Sequence, residues 1–130
     1  MQVRVRWIEG LAFTGIGGTR HWVPMDTDAR FGGTEGGSKP KELFLMGLAG
    51  CTGMDVVSIL HKMKVPLDRF EVRIDAEEAE DHPKVFTRIK LQYRLWGKGI
   101  DEGKVEKAIE LSETKYCAVS AMIRSSVPIE

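Results

Sequence analysis

Two cysteines, Cys51 and Cys117, are the residues of this chain best suited to chemistry. Cys51 lies in an apolar segment rich in small residues, 43–54, and Cys117 follows a charged segment, 101–115. Thiolates are strong nucleophiles, and two thiols that meet across a core can pass between dithiol and disulfide. A buried cysteine is equally an ordinary small hydrophobic residue. The pair therefore supports two interpretations, a redox site or two inert core residues.

Composition limits the kind of protein that this sequence encodes. With 130 residues, of which 42% are hydrophobic and 29% charged, it predicts one soluble globular domain over residues 1–130. Its 19 basic and 19 acidic side chains cancel, so no net charge attracts a nucleic-acid backbone or an anionic membrane. We therefore expect neither nucleic acid nor a membrane as a partner.

The N-terminal segment and the cysteine content predict a cytoplasmic protein. Residues 1–7 alternate between polar and apolar types, unlike the continuous apolar core of a signal peptide, and no uncharged stretch approaches the length of a bilayer span. Permanent disulfides are rare in the cytoplasm, so we interpret the cysteines as reduced, catalytic or inert. The three histidines lack the spacing of a zinc site, and we expect no metal.

The N-terminal third of the sequence predicts β structure. Apolar and polar residues alternate over residues 3–13, on both sides of a turn at Glu9 and Gly10, as in a half-buried hairpin. A third strand is expected over residues 21–25, where Pro24 favours a sheet edge or a strand end. A glycine-rich loop follows, over residues 27–39.

A long helix is predicted from residue 40 to residue 63. Pro40 suits its first turn and Glu42 the positive end of its dipole. Residues 43–54 carry no charge on any face, so this helix must be covered nearly all round. The segment also contains Gly47, Gly50 and Gly53. Each glycine costs about 1 kcal/mol relative to alanine, which indicates that a second helix or a substrate approaches the backbone closely.

The second half of the sequence predicts a hairpin and an amphipathic helix. Residues 70–74 and 85–95 alternate as antiparallel strands, and the acidic run 75–81 is expected to end the first strand and form the connection. Asp101 is expected to cap the helix. Two further expectations concern the C-terminus. Residues 117–123 either continue the helix or start a new turn, and residues 127–129 add a closing strand.

Two motifs with the right order and separation resemble the OsmC/Ohr family. The first is Pro40-Lys-Glu-Leu-Phe44 leading into Gly47-Leu-Ala-Gly-Cys51, and the second is Lys115-Tyr-Cys-Ala-Val-Ser120. The resemblance covers nearly the whole chain, and residues 4–10 and 54–60 are similar to a less characterised branch of the family. It implies an α+β fold with antiparallel sheets packed around long central helices in an intertwined homodimer. Two thiol sites would then lie at the subunit interface.

The resemblance also implies an activity, the reduction of organic hydroperoxides. Cys51 would attack the O–O bond and become a sulfenic acid, and Cys117 would condense with it to give a disulfide and water. An unidentified dithiol reductant would reset the pair, and no metal, haem, flavin or other cofactor is required. The apolar helix favours alkyl or fatty-acyl hydroperoxides over hydrogen peroxide.

One position departs from the family pattern. The peroxidases of the family orient an activating arginine with a glutamate ten residues before the first cysteine. Here that position is Lys41, and the candidate for the catalytic glutamate is Glu42, which follows about 100° further round the helix. Arg20 is the first candidate for the arginine and Arg30 the second.

Two other functions stay open beside peroxidase activity. One is a non-catalytic dimer that binds a small apolar ligand at the subunit interface, beside the small-residue helix. The other is a transferase that uses Cys51 as nucleophile without Cys117, although the sequence identifies no base for it.

Overall fold

A computed structural model describes all 130 residues, Met1–Glu130, and has the α+β composition expected from the sequence. The chain forms two compact units, Met1–Leu45 and Met46–Glu130. The single domain over residues 1–130 stays a prediction.

The N-terminal unit is built on a three-stranded antiparallel sheet. Its strands are β1 (Arg4–Glu9), β2 (Ala12–Ile16) and β3 (Trp22–Met25), in the order β1-β2-β3. The predicted hairpin is confirmed, and β3 with its proline lies at a sheet edge as expected. The expectation of a half-buried hairpin is wrong for β1, because all six of its residues are exposed in the single chain.

The glycine-rich loop between β3 and the long helix is organised by one buried carboxylate. Asp26 accepts hydrogen bonds from the backbone nitrogens of Thr27, Thr34 and Gly36 and, at 2.6 Å, from the hydroxyl of Thr34. These donors stabilise the charged form and lower the pKa of Asp26 to about 2. The loop therefore has a defined path into the helix that follows.

The long helix α1 spans Pro40–Lys62, which confirms its prediction. Pro40 starts it, and the Glu42 side chain accepts a hydrogen bond from the backbone nitrogen of Lys39 at 2.9 Å, which is one half of a capping box. The buried residues form one stripe, Leu48, Thr52, Gly53, Val56 and Leu60. The helix was expected to be covered nearly all round, but a single chain leaves part of it open to solvent, since Met54 is 73% exposed.

Helix α1 is also long and apolar enough to cross a membrane. Its most apolar 18-residue window has a mean hydropathy of 1.8, and 22% of that window is buried. The window is not free of charge, because every such stretch of α1 contains Asp55. Length and composition alone do not separate a spanning helix from the core helix of a soluble protein.

The C-terminal unit packs α1 against a two-stranded hairpin. Strands β4 (Arg69–Glu78) and β5 (Phe86–Trp96) pair antiparallel, as predicted. The acidic run was expected to form the connection, but β4 continues to Glu78. The physical reason is the register, which places Asp75 opposite Lys90 and Glu77 opposite Arg88, so that the acidic side chains face basic ones across the ladder.

Two short helices complete this unit. Helix α2 is Glu102–Leu111, and its predicted cap is confirmed, since Asp101 accepts from the backbone nitrogen of Lys104 at 3.2 Å. A wide π turn, Ser112–Tyr116, ends α2, and a new helix α3 follows at Ala118–Ile123. No closing strand forms, because Ile129 makes only an isolated bridge to Ile89. The core is formed by Val56, Leu60, Val65 and Ala108.

Candidate functional site

The two thiols lie together in the C-terminal unit. Cys51 is on α1 and half-buried, whereas Cys117, between the π turn and α3, is 2% exposed. Their sulfurs and a carboxylate oxygen of Asp55 all lie within 4.8 Å of one another. Both cysteines are free. A disulfide requires the two sulfurs at about 2.05 Å, so its formation requires them to move closer together.

The wide π turn sets the position of Cys117. The backbone nitrogen of Cys117 donates to the carbonyl of Ser112 at 2.8 Å, five residues back. The same turn ends α2, so the chain can begin α3 with Cys117 as its cap, and the sulfur accepts from the backbone nitrogen of Ser120 at 3.4 Å. Single π turns are frequent at functional sites, and this one fixes the thiol against α1.

Burial makes the two thiols chemically different. The pKa of Cys117 is raised to about 11, mainly by desolvation and in smaller part by the neighbouring Cys51 and Asp55, against the opposing hydrogen bond from Ser120. Cys117 is therefore a neutral thiol at physiological pH. The more exposed Cys51 is the sulfur that a reactant from solvent meets first.

A chain of hydroxyl groups lies beside the thiols. The Thr52 hydroxyl is 2.7 Å from that of Tyr93 and 3.0 Å from that of Ser112, and Ser112 donates to the Asp55 carboxylate at 3.3 Å. Thr52 and Ser112 are almost completely buried. None of these four residues was predicted from the sequence to belong to the site. One signal was available, because Asp55 follows Cys51 by four residues and so lies on the same face of a helix.

Arg20 and Glu42, the two other predicted site residues, belong to the N-terminal unit. Arg20 is exposed in the turn before β3, with φ of +62°, and its backbone nitrogen donates to Gly17. Glu42 is exposed and caps α1. Arg30, the second candidate, pairs with Asp28 at 3.4 Å. The catalytic roles of Arg20 and Glu42 stay predictions.

A groove of about 690 Å³ runs along the small-residue face of α1. It is lined by Ala49, Gly50, Gly53, Met54, Val57, Ser58, His61, Phe70 and Val72. A β-carbon on Gly53 would lie 3.4 Å from Phe70 and Val72, so the hairpin packs directly against the helix at this glycine. Gly47 has no such neighbour within the chain. No contact within the chain therefore explains why position 47 is a glycine.

The thiols and Asp55 are also the donors that could hold a metal ion. Two sulfurs and one carboxylate suit a thiophilic divalent cation such as zinc, with one position left open. A structural zinc site normally has four protein ligands, one more than this group offers. The absence of a metal cofactor stays an expectation.

Comparison with known proteins places this chain in a family. The sequence profile of the OsmC-like protein family matches residues 33–130. The chain belongs to the OsmC-like family. Protein YhfA of Escherichia coli K12 is 38% identical over 129 residues, which are 99% of this chain and 93% of that protein.

Solved structures of OsmC-like proteins share the fold. A hypothetical protein from Aquifex aeolicus VF5 superimposes with a TM-score of 0.87 at 27% identity, covering 99% of this chain and 90% of that one. An organic hydroperoxide resistance protein OsmC from Legionella pneumophila, described as a predicted redox protein, has a TM-score of 0.72 at 17% identity. This superposition covers 100% of this chain and 94% of the Legionella pneumophila protein. The predicted OsmC-like α+β fold is confirmed, whereas the intertwined dimer stays a prediction.

Proposed function

We propose that this protein reduces organic hydroperoxides through Cys51 and Cys117. The observation that carries the proposal is the pair of free thiols with a carboxylate within 4.8 Å, one sulfur half-buried and the other buried. The burial difference supports the order of events, with Cys51 attacking and Cys117 resolving. The name of the Legionella pneumophila relative, organic hydroperoxide resistance protein, is in line with this chemistry.

The reaction balances with the two sulfurs as the only redox centres. The Cys51 thiolate attacks the hydroperoxide, the O–O bond breaks, and an alcohol leaves after taking up a proton, with Cys51 oxidised to sulfenic acid. The Cys117 thiol then displaces the sulfenic oxygen, which leaves as water, and a disulfide forms. An external dithiol returns both cysteines to thiols by exchange, and its own pair becomes the disulfide.

A homodimer is the second part of the proposal. Apolar side chains remain exposed in the single chain, among them Met54 at 73%, Met46 at 56% and Phe44 at 42% on α1. Exposure of several large apolar side chains on a long apolar helix is unfavourable in water, and a second copy of α1 is a natural cover for them. The open space beside Gly47 would admit the backbone of that second helix.

The direct experiment is consumption of cumene hydroperoxide by the reduced protein with dithiothreitol as the dithiol. We expect turnover with cumene hydroperoxide and slower turnover with hydrogen peroxide, because the apolar surface of α1 favours binding of the organic group. Equal rates for the two peroxides would argue against binding of that group to α1. Absence of any turnover, together with thiols that stay titratable, would contradict the proposed function.

A second candidate function is storage or transport of an apolar small molecule. The observation in its favour is the groove, whose lining is mostly small and apolar and does not include either thiol. An environment-sensitive apolar dye should bind equally to the parent and to Cys51→Ser if this function holds. Binding without any peroxide turnover in the parent would favour this candidate over the peroxidase.

The lysine at position 41, where the peroxidases of the family have a glutamate, leads to a prediction about the reactivity of Cys51. Lys41 lies about 15 Å along a regular helix from Cys51, so it can act only through a bridging side chain, for which Arg20 is the candidate. We expect Lys41→Glu to raise the rate of Cys51 oxidation by cumene hydroperoxide and Arg20→Ala to lower it. Stopped-flow measurement of the thiol gives both rates, and light scattering should show the dimer unchanged. Identical rates in both variants and the parent would remove Arg20 from the site.

A further inference from the structure

Asp55 is a half-buried carboxylate that the thiol chemistry above leaves unused. It lies one helical turn after Cys51, with an oxygen within 4.8 Å of both sulfurs. An anion in this place opposes ionisation of Cys117 and contributes to its raised pKa. Asp55 therefore does not activate Cys117 by stabilising its thiolate. Its position calls for another role.

The hydroxyl chain beside Asp55 has one consistent direction. Ser112 donates to the carboxylate, and since a hydroxyl has one hydrogen, Ser112 must accept from Thr52. Thr52 must in turn accept from Tyr93. Burial raises the pKa of Tyr93, which keeps this last group protonated as the donor. Three hydrogen bonds thus point toward one carboxylate and fix its orientation beside the sulfurs.

The resolving step needs a group that moves a proton. When Cys117 attacks the sulfenic acid, its sulfur loses a hydrogen and the departing hydroxyl gains one. With a pKa of about 11, only on the order of one Cys117 in ten thousand is a thiolate at pH 7. Disulfide formation would therefore be slow if it depended on spontaneous ionisation of Cys117. A carboxylate within 4.8 Å of both the donor sulfur and the sulfur that releases hydroxide can carry the proton between them through one water or after a small side-chain movement.

We propose that Asp55 is the proton carrier of disulfide formation, a role that rests on the proposed thiol peroxidase. Its carboxylate accepts the Cys117 proton as the S–S bond forms and delivers it to the oxygen leaving Cys51, which departs as water. No other oxidant or reductant takes part in this step. Ser112, Thr52 and Tyr93 are positioning residues that act through their hydrogen bonds.

The surroundings of Asp55 allow it to return to its starting state. The carboxylate lines a second groove of about 360 Å³, together with Lys62 and Tyr116 among others. Water in this groove can exchange protons with the carboxylate between turnovers. The buried hydroxyl chain closes the opposite side of the site, since Thr52 and Ser112 are almost inaccessible to solvent.

The test measures attack by Cys117 with and without a peroxide. One equivalent of Ellman's reagent forms a mixed disulfide at the more exposed Cys51 and releases one coloured aryl thiolate. Attack by Cys117 then forms the protein disulfide and releases a second aryl thiolate, while the Cys117 proton passes to Asp55. Asp55→Asn keeps the size of the side chain and an oxygen that can accept from Ser112. It removes the ability to take a proton. Asp75→Asn, at an exposed position on β4, is the matched control.

We expect Asp55→Asn to slow the second release at pH 7 by about a hundredfold or more, within the range of general base catalysis, and Asp75→Asn to leave it unchanged. In Asp55→Asn the closure rate should rise about tenfold per pH unit until Cys117 itself ionises. A purely structural defect would lower the rate by one factor at every pH. The proposal would be overturned if Asp55→Asn formed the disulfide at the parent's rate, or if its rate changed with pH in parallel with that of the parent.

The same variant in the peroxide reaction separates this proposal from the proposed function. Asp55→Asn should form sulfenic acid on Cys51, detected with dimedone, and then accumulate it, with overoxidation to sulfinic acid. If the parent forms its disulfide with Ellman's reagent but is inert to organic hydroperoxides, the proposed peroxidase function is wrong. The rate of disulfide formation with Ellman's reagent then decides the role of Asp55 by itself. If Asp55→Asn accumulates no sulfenic acid while the parent turns over, the role of Asp55 is wrong and the peroxidase stands.

Discussion

Cys51→Ser should lose all turnover of cumene hydroperoxide, to the level of the uncatalysed reaction. The serine hydroxyl is about the size of the thiol but is not a nucleophile at neutral pH without a base. The other cysteine cannot replace Cys51, because Cys117 is 2% exposed and its pKa is raised to about 11. Peroxide consumption in the presence of dithiothreitol measures the loss, and circular dichroism checks that the fold is unchanged. Turnover above background in this variant would show that Cys51 is not the attacking sulfur.

Cys117→Ser is the matched variant and should fail at a later step. It should consume peroxide in the first oxidation and then accumulate sulfenic or overoxidised Cys51, because no resolving thiol is present. Dithiothreitol added in excess could reduce part of the sulfenic acid directly and restore slow turnover. Identical behaviour of the two serine variants would contradict the assignment of separate roles.

The second large effect is expected at the exposed face of α1. Met54→Glu should dissociate the proposed homodimer, because a charge at a covered apolar position loses its water without gaining a partner. A cost of about 3 kcal/mol corresponds to more than a hundredfold in the dissociation constant. The fold of the protomer should persist, since Met54 is 73% exposed within the chain. Light scattering across a range of protein concentrations measures the change.

Gln92→Glu is the control for the dimer prediction. Gln92 is exposed on β5, between the inward-facing Leu91 and Tyr93, and the change adds the same charge at nearly constant size. It should leave the dimer intact. A parent protein that is monomeric at micromolar concentration, or a Met54→Glu variant that dimerises like the parent, would refute covering of α1 by a second copy.

Strong local signals allowed most elements to be predicted from the sequence. The uncharged run after Pro40 and the alternation in β4 and β5 gave the long helix and the hairpin, because burial imposes these periods directly. Strand β4 was predicted too short, since its acidic end pairs with basic residues on β5 that only the register brings opposite. The exposure of β1 was missed because alternation shows which residues share a face, and not what covers that face.

The candidate site was predicted only in part. The cysteines were identified by their motifs, and the structure brings them together. Asp55, Ser112 and Tyr93 were missed because they come from three separate elements. Their contacts depend on tertiary packing and on the π turn, which no local sequence pattern predicts. Glu42 illustrates the reverse case, since a residue interpreted from a family pattern as catalytic also has a plain structural role as a helix cap.

The most direct measurement is the intact mass of the protein after one equivalent of cumene hydroperoxide. A mixture of ¹⁵N-labelled and unlabelled protein distinguishes bonds within one chain from bonds between two chains. We predict loss of two hydrogens per chain and a peptide pair that joins Cys51 to Cys117 with both halves from the same chain. Two free thiols after peroxide is consumed, or disulfides that join labelled to unlabelled chains, would contradict a redox pair formed by these two sulfurs.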